Sequence, residues 1–424
     1  MENSRRLQPP LSEIKLGQLP PVEHVLLSNN IPLYLIEAGT EDIMRIEFVL
    51  KAGQINEYLP LIASTTNMML TEGSQNYTAY ELNSSLDSHG AFINLLAEKD
   101  NAGLVIFFLA RHIRKIAELC FEILFKPVFP RKELDILMKK RIKWFQISRE
   151  KVNNLSSDQF FESVFGKHHP YGRQINFRDF PIITTSILKD FHSRHYTPTG
   201  MAIMISGRIH PDTVGIMDHY FGRIPEKTVY VEPSESIIKG GEEKQIHIKK
   251  HNALQSSVRI GSMTINKTHP DYPGLKILNV VLGGYFGSRL MKNIREDKGY
   301  TYGIHSAVNS LGLGGYKVIS TEVSRENIRK TINEIHREIR ILQTTPVGRK
   351  ELDLVRTYMA GEMVRMFDGP FAIAESFKSV WEFGLDYEYY YRLAEKIKTI
   401  TPEEIQQLAN AYYNIDDLYE IIAG

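Results

Sequence analysis

A chain of 424 residues has room for two or three domains of ordinary size, each able to bury its own core. With 42% hydrophobic and 24% charged residues, its make-up is that of a globular protein. The 51 basic and 50 acidic side chains leave a net charge of +1, so neither the basic excess of a nucleic-acid binder nor a long charge block is present. Balanced charge of this kind suits a peptide or protein partner better than a polyanion.

Cys120 is the single cysteine, which rules out an internal disulfide and a thiolate zinc cluster. It sits in an apolar helical pattern with Ile116, Leu119, Ile123 and Leu124 and reads as core. The first fifteen residues carry no apolar h-region, and no later stretch reaches membrane-spanning length. The expected location is the cytoplasm, with no membrane and no nucleic acid as partner.

In chain order, residues 24–37 alternate as two strands around Ser28-Asn29-Asn30, and residues 43–51 form a third, ended by Ala52-Gly53. A helix is expected over 60–70, followed by strands at 92–95 and 103–109. Helical periods cover 111–125, 131–149, 155–165 and 184–195, and a strong strand follows at 201–206. Residues 226–243 carry Pro, Ser, paired Gly and scattered charges without a steady apolar period, the composition of a linker. The order then restarts. Strands are expected near 244–249 and 255–264, helices over 270–282 and 288–297, and strands over 301–308 and 314–321. Five helices follow, over 324–343, 347–366, 369–383, 387–396 and 402–412, before a last strand at 417–423.

The restart is a repeat. Arg131-Lys132-Glu133-Leu134-Asp135-Ile136-Leu137 returns as Arg349-Lys350-Glu351-Leu352-Asp353-Leu354-Val355, 218 residues on. Ile183, Thr184, Phe191, Tyr196 and Gly207 return as Ile400, Thr401, Leu408, Tyr413 and Gly424, 217 residues on. One repeat of half the chain means a copied domain rather than a solenoid. The expected fold is therefore α+β: two homologous α/β-sandwich domains, each an antiparallel sheet with helices on one face. The expected boundaries are 1–225, a linker over 226–243, and 244–424.

The densest motif lies in the second copy. Gly283-Gly284-Tyr285-Phe286-Gly287-Ser288-Arg289-Leu290 is followed by Ile294-Arg295-Glu296-Asp297-Lys298-Gly299-Tyr300-Thr301-Tyr302. A glycine-rich turn feeds a short helix that Gly299 can end, and a strand begins at Thr301. Such a corner brings Arg295, a planar fork of donors, and Tyr302, a rigid ring with a hydroxyl, toward one surface fit to hold peptide carbonyls or a carboxylate. The same residues also admit a plainer reading. In it Arg295 pairs with Glu296, Asp297 or a helix end, and Tyr302 packs across strands.

This segment resembles the second-domain motif of the pitrilysin/insulysin and mitochondrial-processing-peptidase family, the zinc peptidases with an inverted His-x-x-Glu-His motif. The resemblance rests on the glycine pair, Ser288-Arg289-Leu290 and the Arg/Tyr pair seven residues apart. The loop His168-His169-Pro170-Tyr171-Gly172-Arg173, the duplication and the linker support it over nearly the whole chain. It implies that Arg295 and Tyr302 hold a substrate peptide opposite a zinc site on another domain. The family places His-x-x-Glu-His shortly before a turn matched here by Leu70-Thr71-Glu72-Gly73-Ser74, but the motif positions hold Ser64-Thr65-Thr66-Asn67-Met68. The third ligand, a glutamate, aligns near Gln146, with Glu150 one turn beyond.

A catalytic zinc needs three N, O or S ligands, and its water needs a general base. Ser64, Asn67, Met68 and Gln146 supply none of these, so neither a catalytic residue nor a metal ligand is expected in this chain. The resemblance implies a non-catalytic subunit, inactive alone. Such a subunit would close the chamber of a heterodimeric peptidase and hold an extended peptide against the zinc of a His-x-x-Glu-His partner. The alternative is a scaffold or peptide-binding protein of the same fold with no proteolytic role. His192 and His195, three apart, are expected as solvated helix positions, and His168-His169 as part of a structural turn.

Overall fold

The computed structural model describes residues 17–225 and 238–424. Most of the expected linker, residues 226–237, lies outside the described residues, as do residues 1–16. The first half runs β1 (Glu23–Leu26), β2 (Pro32–Glu37), β3 (Ile43–Leu50), α1 (Ile62–Met68), α2 (Ala79–Ser88), β4 (Phe92–Ala97) and β5 (Ala102–Leu109). It continues with α3 (Ile113–Phe125), α4 (Arg131–Glu150), α5 (Val152–Phe165), α6 (Thr185–His195), β6 (Met201–Gly207) and α7 (Thr213–Tyr220). The second half runs β7 (Gln245–Ile248), β8 (Ser256–Thr264), α8 (Tyr272–Asn279), β9 (Thr301–Leu311) and β10 (Gly314–Val323). Then come α9 (Ile328–Thr344), α10 (Arg349–Arg365), α11 (Pro370–Trp381), α12 (Glu388–Thr399), α13 (Pro402–Tyr412) and β11 (Tyr419–Ala423).

The periodic segments fall where the apolar pattern places them, and the repeated residues do the same work twice. α4 and α10 both begin at the arginine of the Arg-Lys-Glu-Leu-Asp repeat. Thr184 and Thr401 cap α6 and α13, each accepting a backbone N–H three residues on. Two helices, α2 and α7, were not anticipated. For α2 the sequence did carry a signal: Thr78 accepts the N–H of Glu81, and the Glu81 carboxylate accepts the N–H of Thr78. That reciprocal box satisfies two otherwise orphaned donors.

The two sheets have matching orders, β1-β2-β6-β3-β5-β4 and β7-β11-β8-β10-β9. Neither is purely antiparallel as expected. β6 pairs parallel with β2, and β11 parallel with β7, while the remaining pairs are antiparallel. In each half the last strand returns from a helical layer and inserts between the first strands, and such crossovers deliver parallel partners.

The expectation of helices on one face is also corrected. One face of the first sheet packs on its own helices through Met44, Ile46, Phe48, Leu104 and Ile106. The opposite face is covered by α11 of the second half, whose Ile373, Ala374 and Phe377 meet Ile36 and Met204. Reciprocally, α5 of the first half lays Phe160, Val164 and Phe165 on Val318, Tyr419 and Ile421 of the second sheet. Each half therefore lends one helix to the other. The unbroken apolar run of β6, buried at all seven positions, follows from this two-sided cover.

Alternation along β3 sends Arg45 and Glu47 to the borrowed-helix side, where both are 1% exposed. There the Glu47 carboxylate accepts from Arg45 Nη2 at 2.6 Å and forms an ion pair with Lys378 Nζ of α11 at 2.8 Å. Arg45 also pairs with Glu375 of α11. A buried ion network thus bolts the second half's helix to the first half's sheet.

Candidate functional site

Backbone irregularities gather around the glycine-rich motif. Val280–Gly284, which ends in the Gly-Gly pair, and Met291–Asp297 are both π-helical turns. Such turns are rare and recur at functional sites. Gly283 is required by contact, because a Cβ there would lie 2.7 Å from the Ser306 Cβ on β9. Gly299 takes φ +63°, ending the second turn so that β9 can start.

The Ser-Arg-Leu part of the motif is architectural. Ser288 and Leu290 are buried, and Arg289 makes a two-pronged ion pair with Glu351 of the repeated helix start, at 2.8 and 3.0 Å. Asn293 ties the π-turn to α9 through Glu334 at 2.9 Å and Glu338 at 2.6 Å. These anchors hold the inner side of the turn and leave Arg295 on its outer side. Arg295 stacks its guanidinium over the ring of Phe286, 4.6 Å from the centroid, and among the described residues it makes no ion pair. Arginine over an aromatic face keeps its donor fork free for a ligand.

Tyr302 follows from a β-bulge. Thr301 pairs with Val323 and Ile304 with Thr321, so Tyr302 and Gly303 together oppose the single residue Glu322. The bulge turns the Tyr302 side chain outward, and it is 91% exposed. It rims a shallow pocket of about 300 Å³ whose walls include Asn153 of α5, Gln255 and Glu322. Neither residue takes the plainer role in this geometry: Tyr302 does not pack across strands, and Arg295 pairs with neither Glu296 nor Asp297.

The positions of the family's zinc motif look quite different. Asn67 is buried and its amide donates to the Gly103 carbonyl at 2.9 Å and to the Tyr196 hydroxyl at 3.3 Å. In the second copy, Asn279 near the end of α8 likewise donates to the Ser306 carbonyl at 3.0 Å. Asn67 has become a pin between helix and sheet. Met68 turns to solvent. Ser64 accepts at 2.9 Å from Arg141 of α4, whose other nitrogen donates to the Thr65 hydroxyl at 2.5 Å.

The α4 side chain that reaches α1 is therefore Arg141. Gln146, the position matched to the third ligand, is exposed, and Glu150 accepts from Lys250 at 2.5 Å. A guanidinium, an amide already committed to the sheet and an outward thioether do not fit zinc, and a fixed cation stands against α1. Among the described residues no three His, Cys, Asp or Glu side chains are grouped to hold a metal.

His192 and His195, expected to be solvated, are instead half-buried. His192 Nε2 donates to the Leu124 carbonyl at 2.8 Å and stacks on Tyr196, and His195 lies against Phe191. His169 is buried in its turn, accepting from the Tyr171 N–H at 3.1 Å.

Beside Ser64 lies a pocket of about 250 Å³ that includes Glu57, Lys99 and Arg173. The Glu57 carboxylate accepts the Ala63 N–H at 2.9 Å, with Arg173 at 3.6 Å. Burial outweighs these partners and pushes the Glu57 carboxyl up to about 7. Between pH 4.5 and 7 the folded protein thus holds a proton that the unfolded chain has released, and stability from this group falls as pH rises through that window. Glu57→Gln is expected to be more stable than the parent at pH 8, by about 1–3 kcal/mol, and nearly equal to it at about pH 4, below the unfolded carboxyl's range. Urea unfolding of both proteins at the two pH values checks this, and a pH-independent difference would contradict it.

These two halves, with their matching sheets and exchanged helices, form a fold also seen in solved peptidase M16 structures. A solved structure described as a peptidase M16 inactive domain from Pseudomonas fluorescens superposes with a TM-score of 0.86 at 23% identity, covering 95% of this chain and 98% of that one. Residues 183–359 match the family model described as Peptidase M16 inactive domain.

An uncharacterized zinc protease of Mycobacterium leprae is 24% identical over 247 residues, 57% of this chain and 55% of that protein. The chain thus spans about half the length of such curated relatives. The mitochondrial-processing peptidase subunit beta of Saccharomyces cerevisiae is 21% identical over 336 residues, 72% of this chain and 69% of that one. The resemblance to the pitrilysin/insulysin and mitochondrial-processing-peptidase family is borne out by these matches, and the family's zinc motif is absent from the sequence. No helix among the described residues is long and apolar enough to cross a membrane.

Proposed function

We propose that this chain is the non-catalytic subunit of a two-chain peptidase, closing the chamber and holding an extended peptide against zinc carried by a His-x-x-Glu-His partner. The observation that carries this reading is the opposite state of the two corners. At one, Arg141 donates to the Ser64 and Thr65 hydroxyls at the degenerate metal position. At the other, the bulge exposes Tyr302 and Phe286 supports an otherwise uncommitted Arg295.

Arg295 supplies donors for a peptide carbonyl or terminal carboxylate, and Tyr302 a hydroxyl and a ring face. β9 is an edge strand, so an extended peptide can add to it through main-chain hydrogen bonds with loose sequence preference. Zinc and its hydroxide belong to the partner in this scheme. The division of the chain into 1–225, a linker 226–243 and 244–424 goes with it, each unit being one wall of the chamber. The cytoplasm is the proposed site of action.

The test is reconstitution with a similar-length chain bearing His-x-x-Glu-His. Alone, this protein should contain no stoichiometric zinc and cleave no peptide, and mixing should restore cleavage. In the pair, Arg295→Ala is expected to lower kcat/KM about 10- to 100-fold and Tyr302→Phe about 3- to 10-fold, both within the range of lost charged and neutral hydrogen bonds. Tight zinc and turnover by the isolated chain, or unchanged kinetics in both variants, would falsify the proposal.

A further inference from the structure

A third pocket lies at the other end of β8 from the Tyr302 corner, about 20 Å along the strand at ~3.3 Å per residue. Its volume is about 480 Å³, and its lining includes Lys317, Ser262, Thr264, Lys244, Met263 and Tyr412. That volume falls within the range of small-molecule sites.

Lys317 is only 5% exposed. Its ammonium donates to the Ser262 hydroxyl at 2.6 Å and to the Met263 carbonyl at 3.4 Å, and lies 5.3 Å from the centre of the Tyr413 ring. Among the described residues no carboxylate stands within ion-pair distance of it, and one of its three donors is left over. A buried ammonium without a counter-charge is unfavourable, and burial accordingly brings Lys317 down to about 8, with Asp417 offsetting part of that. The Thr264 hydroxyl is buried beside the same pocket with no hydrogen-bond partner. At the rim, Lys244 lies over the Tyr419 ring, 3.8 Å from its centre, and donates to the Asp417 carbonyl at 3.4 Å. The Asp417 carboxylate, also in the lining, accepts from Asn414 at 2.9 Å.

The duplication shows that the fold does not need this lysine. Ala202 pairs with Val49 in the first sheet as Tyr419 pairs with Gly261 in the second, which makes Leu50 the counterpart of Ser262. The β5 partner of Leu50 is Ala102, and the β10 partner of Ser262 is Lys317. The first copy closes this place with a buried Leu–Ala pair, and the second copy has opened it and installed an ammonium and a hydroxyl.

We propose that this pocket binds a small monocarboxylate with an apolar body. The carboxylate would take the spare Lys317 donor and the Thr264 hydroxyl, and the body would lie against Met263, Ile265 and Tyr412. Two lysines against one aspartate leave a single positive charge, which favours a carboxylate over a doubly charged phosphate. The carboxylate can belong to a free small acid or to the end of a peptide chain. The proposal does not depend on the peptidase reading, since neither Arg295 nor Tyr302 takes part.

Isothermal titration of the full chain with 3-phenylpropionate tests it, with the corresponding amide as control. A second arm uses a tripeptide ending in phenylalanine, with a free or an amidated terminus. The acid is expected to bind with a Kd of about 1 mM or tighter, and its amide at least ~10-fold more weakly. Lys317→Met should weaken the acid at least ~10-fold while remaining folded, since an apolar side chain suits that position in the other copy. Thr264→Val gives a second, milder loss. Binding of the free-ended tripeptide instead of the small acid would assign the same site to chain termini. The proposal is overturned if neither acid binds, if amides bind as well as acids, or if both variants bind like the parent.

Discussion

Glu47→Ala is expected to destabilise the protein by about 3–5 kcal/mol, far more than any exposed ion pair would. The reason is what stays behind. Glu47 is buried on the borrowed-helix side of β3 and pairs with both Arg45 at 2.6 Å and Lys378 at 2.8 Å. Removing it leaves two buried cations facing each other, with Arg45 still paired to Glu375, 59% exposed, and Lys378 left with the more distant Glu382 at 3.8 Å and Glu98 at 4.0 Å. The desolvation of Arg45 and Lys378 is then compensated only by these exposed or longer contacts, and like charges now repel across the β3–α11 contact. The surface pair of Lys396 and Glu404 provides the contrast, since each partner is about one-third exposed and Glu404→Ala should shift stability by under ~1 kcal/mol. Urea denaturation of the three proteins decides the matter. A Glu47→Ala loss as small as that of Glu404→Ala would mean that the buried network does not hold α11 in place.

Phe160→Ala should remove about 3–5 kcal/mol, with its main effect on the half of the chain to which the residue does not belong. Phe160 is 1% exposed on α5, among Val318, Tyr419 and Ile421 of the second sheet, with its ring 6.2 Å from that of Tyr316. Truncation leaves a cavity between α5 and β8–β11 that a rigid sheet cannot collapse to fill. Amide exchange in β8 and β11 should therefore accelerate more than exchange in β3 and β5, although the substitution lies in the first half. Phe92→Ala, on the exposed side of edge strand β4, should stay within ~0.5 kcal/mol. Exchange that speeds up only in the first sheet would refute the exchange of helices as a stabilising device.

The zinc-motif positions show how far residue identity reaches. Losing both histidines and the glutamate is decisive in sequence, because Ser64, Asn67 and Met68 have no metal-binding chemistry. What replaced the site was not legible. Counting along α4 led to Gln146, while the side chain facing α1 is Arg141, five residues earlier and about 140° around the helix. The phase of a helix against its neighbour is set by packing, which a count of residues does not contain. Glu57 was passed over for the same reason, since nothing in its neighbours' identities announces burial in the pocket beside Ser64. Arg295 and Tyr302 were legible because the glycines and the short spacing that place them are local. Even so, the outward turn of Tyr302 came from a bulge in β9 that exists only in its register with β10, where Tyr302 and Gly303 oppose Glu322.

The sequence by itself determined all the strands and every helix but α2 and α7, the duplication and the absence of a zinc motif. Apolar period, caps and turn residues act over a few neighbouring residues, and a repeated heptapeptide is a fact of the chain alone. Only the tertiary structure decided that β6 and β11 enter their sheets in parallel and that α5 and α11 cross to the opposite half. It alone revealed Arg141 against α1 and Lys317 in an opened pocket. Each of these depends on which distant surfaces meet, and therefore on apolar area and charge buried between residues far apart in the chain, which no local pattern records.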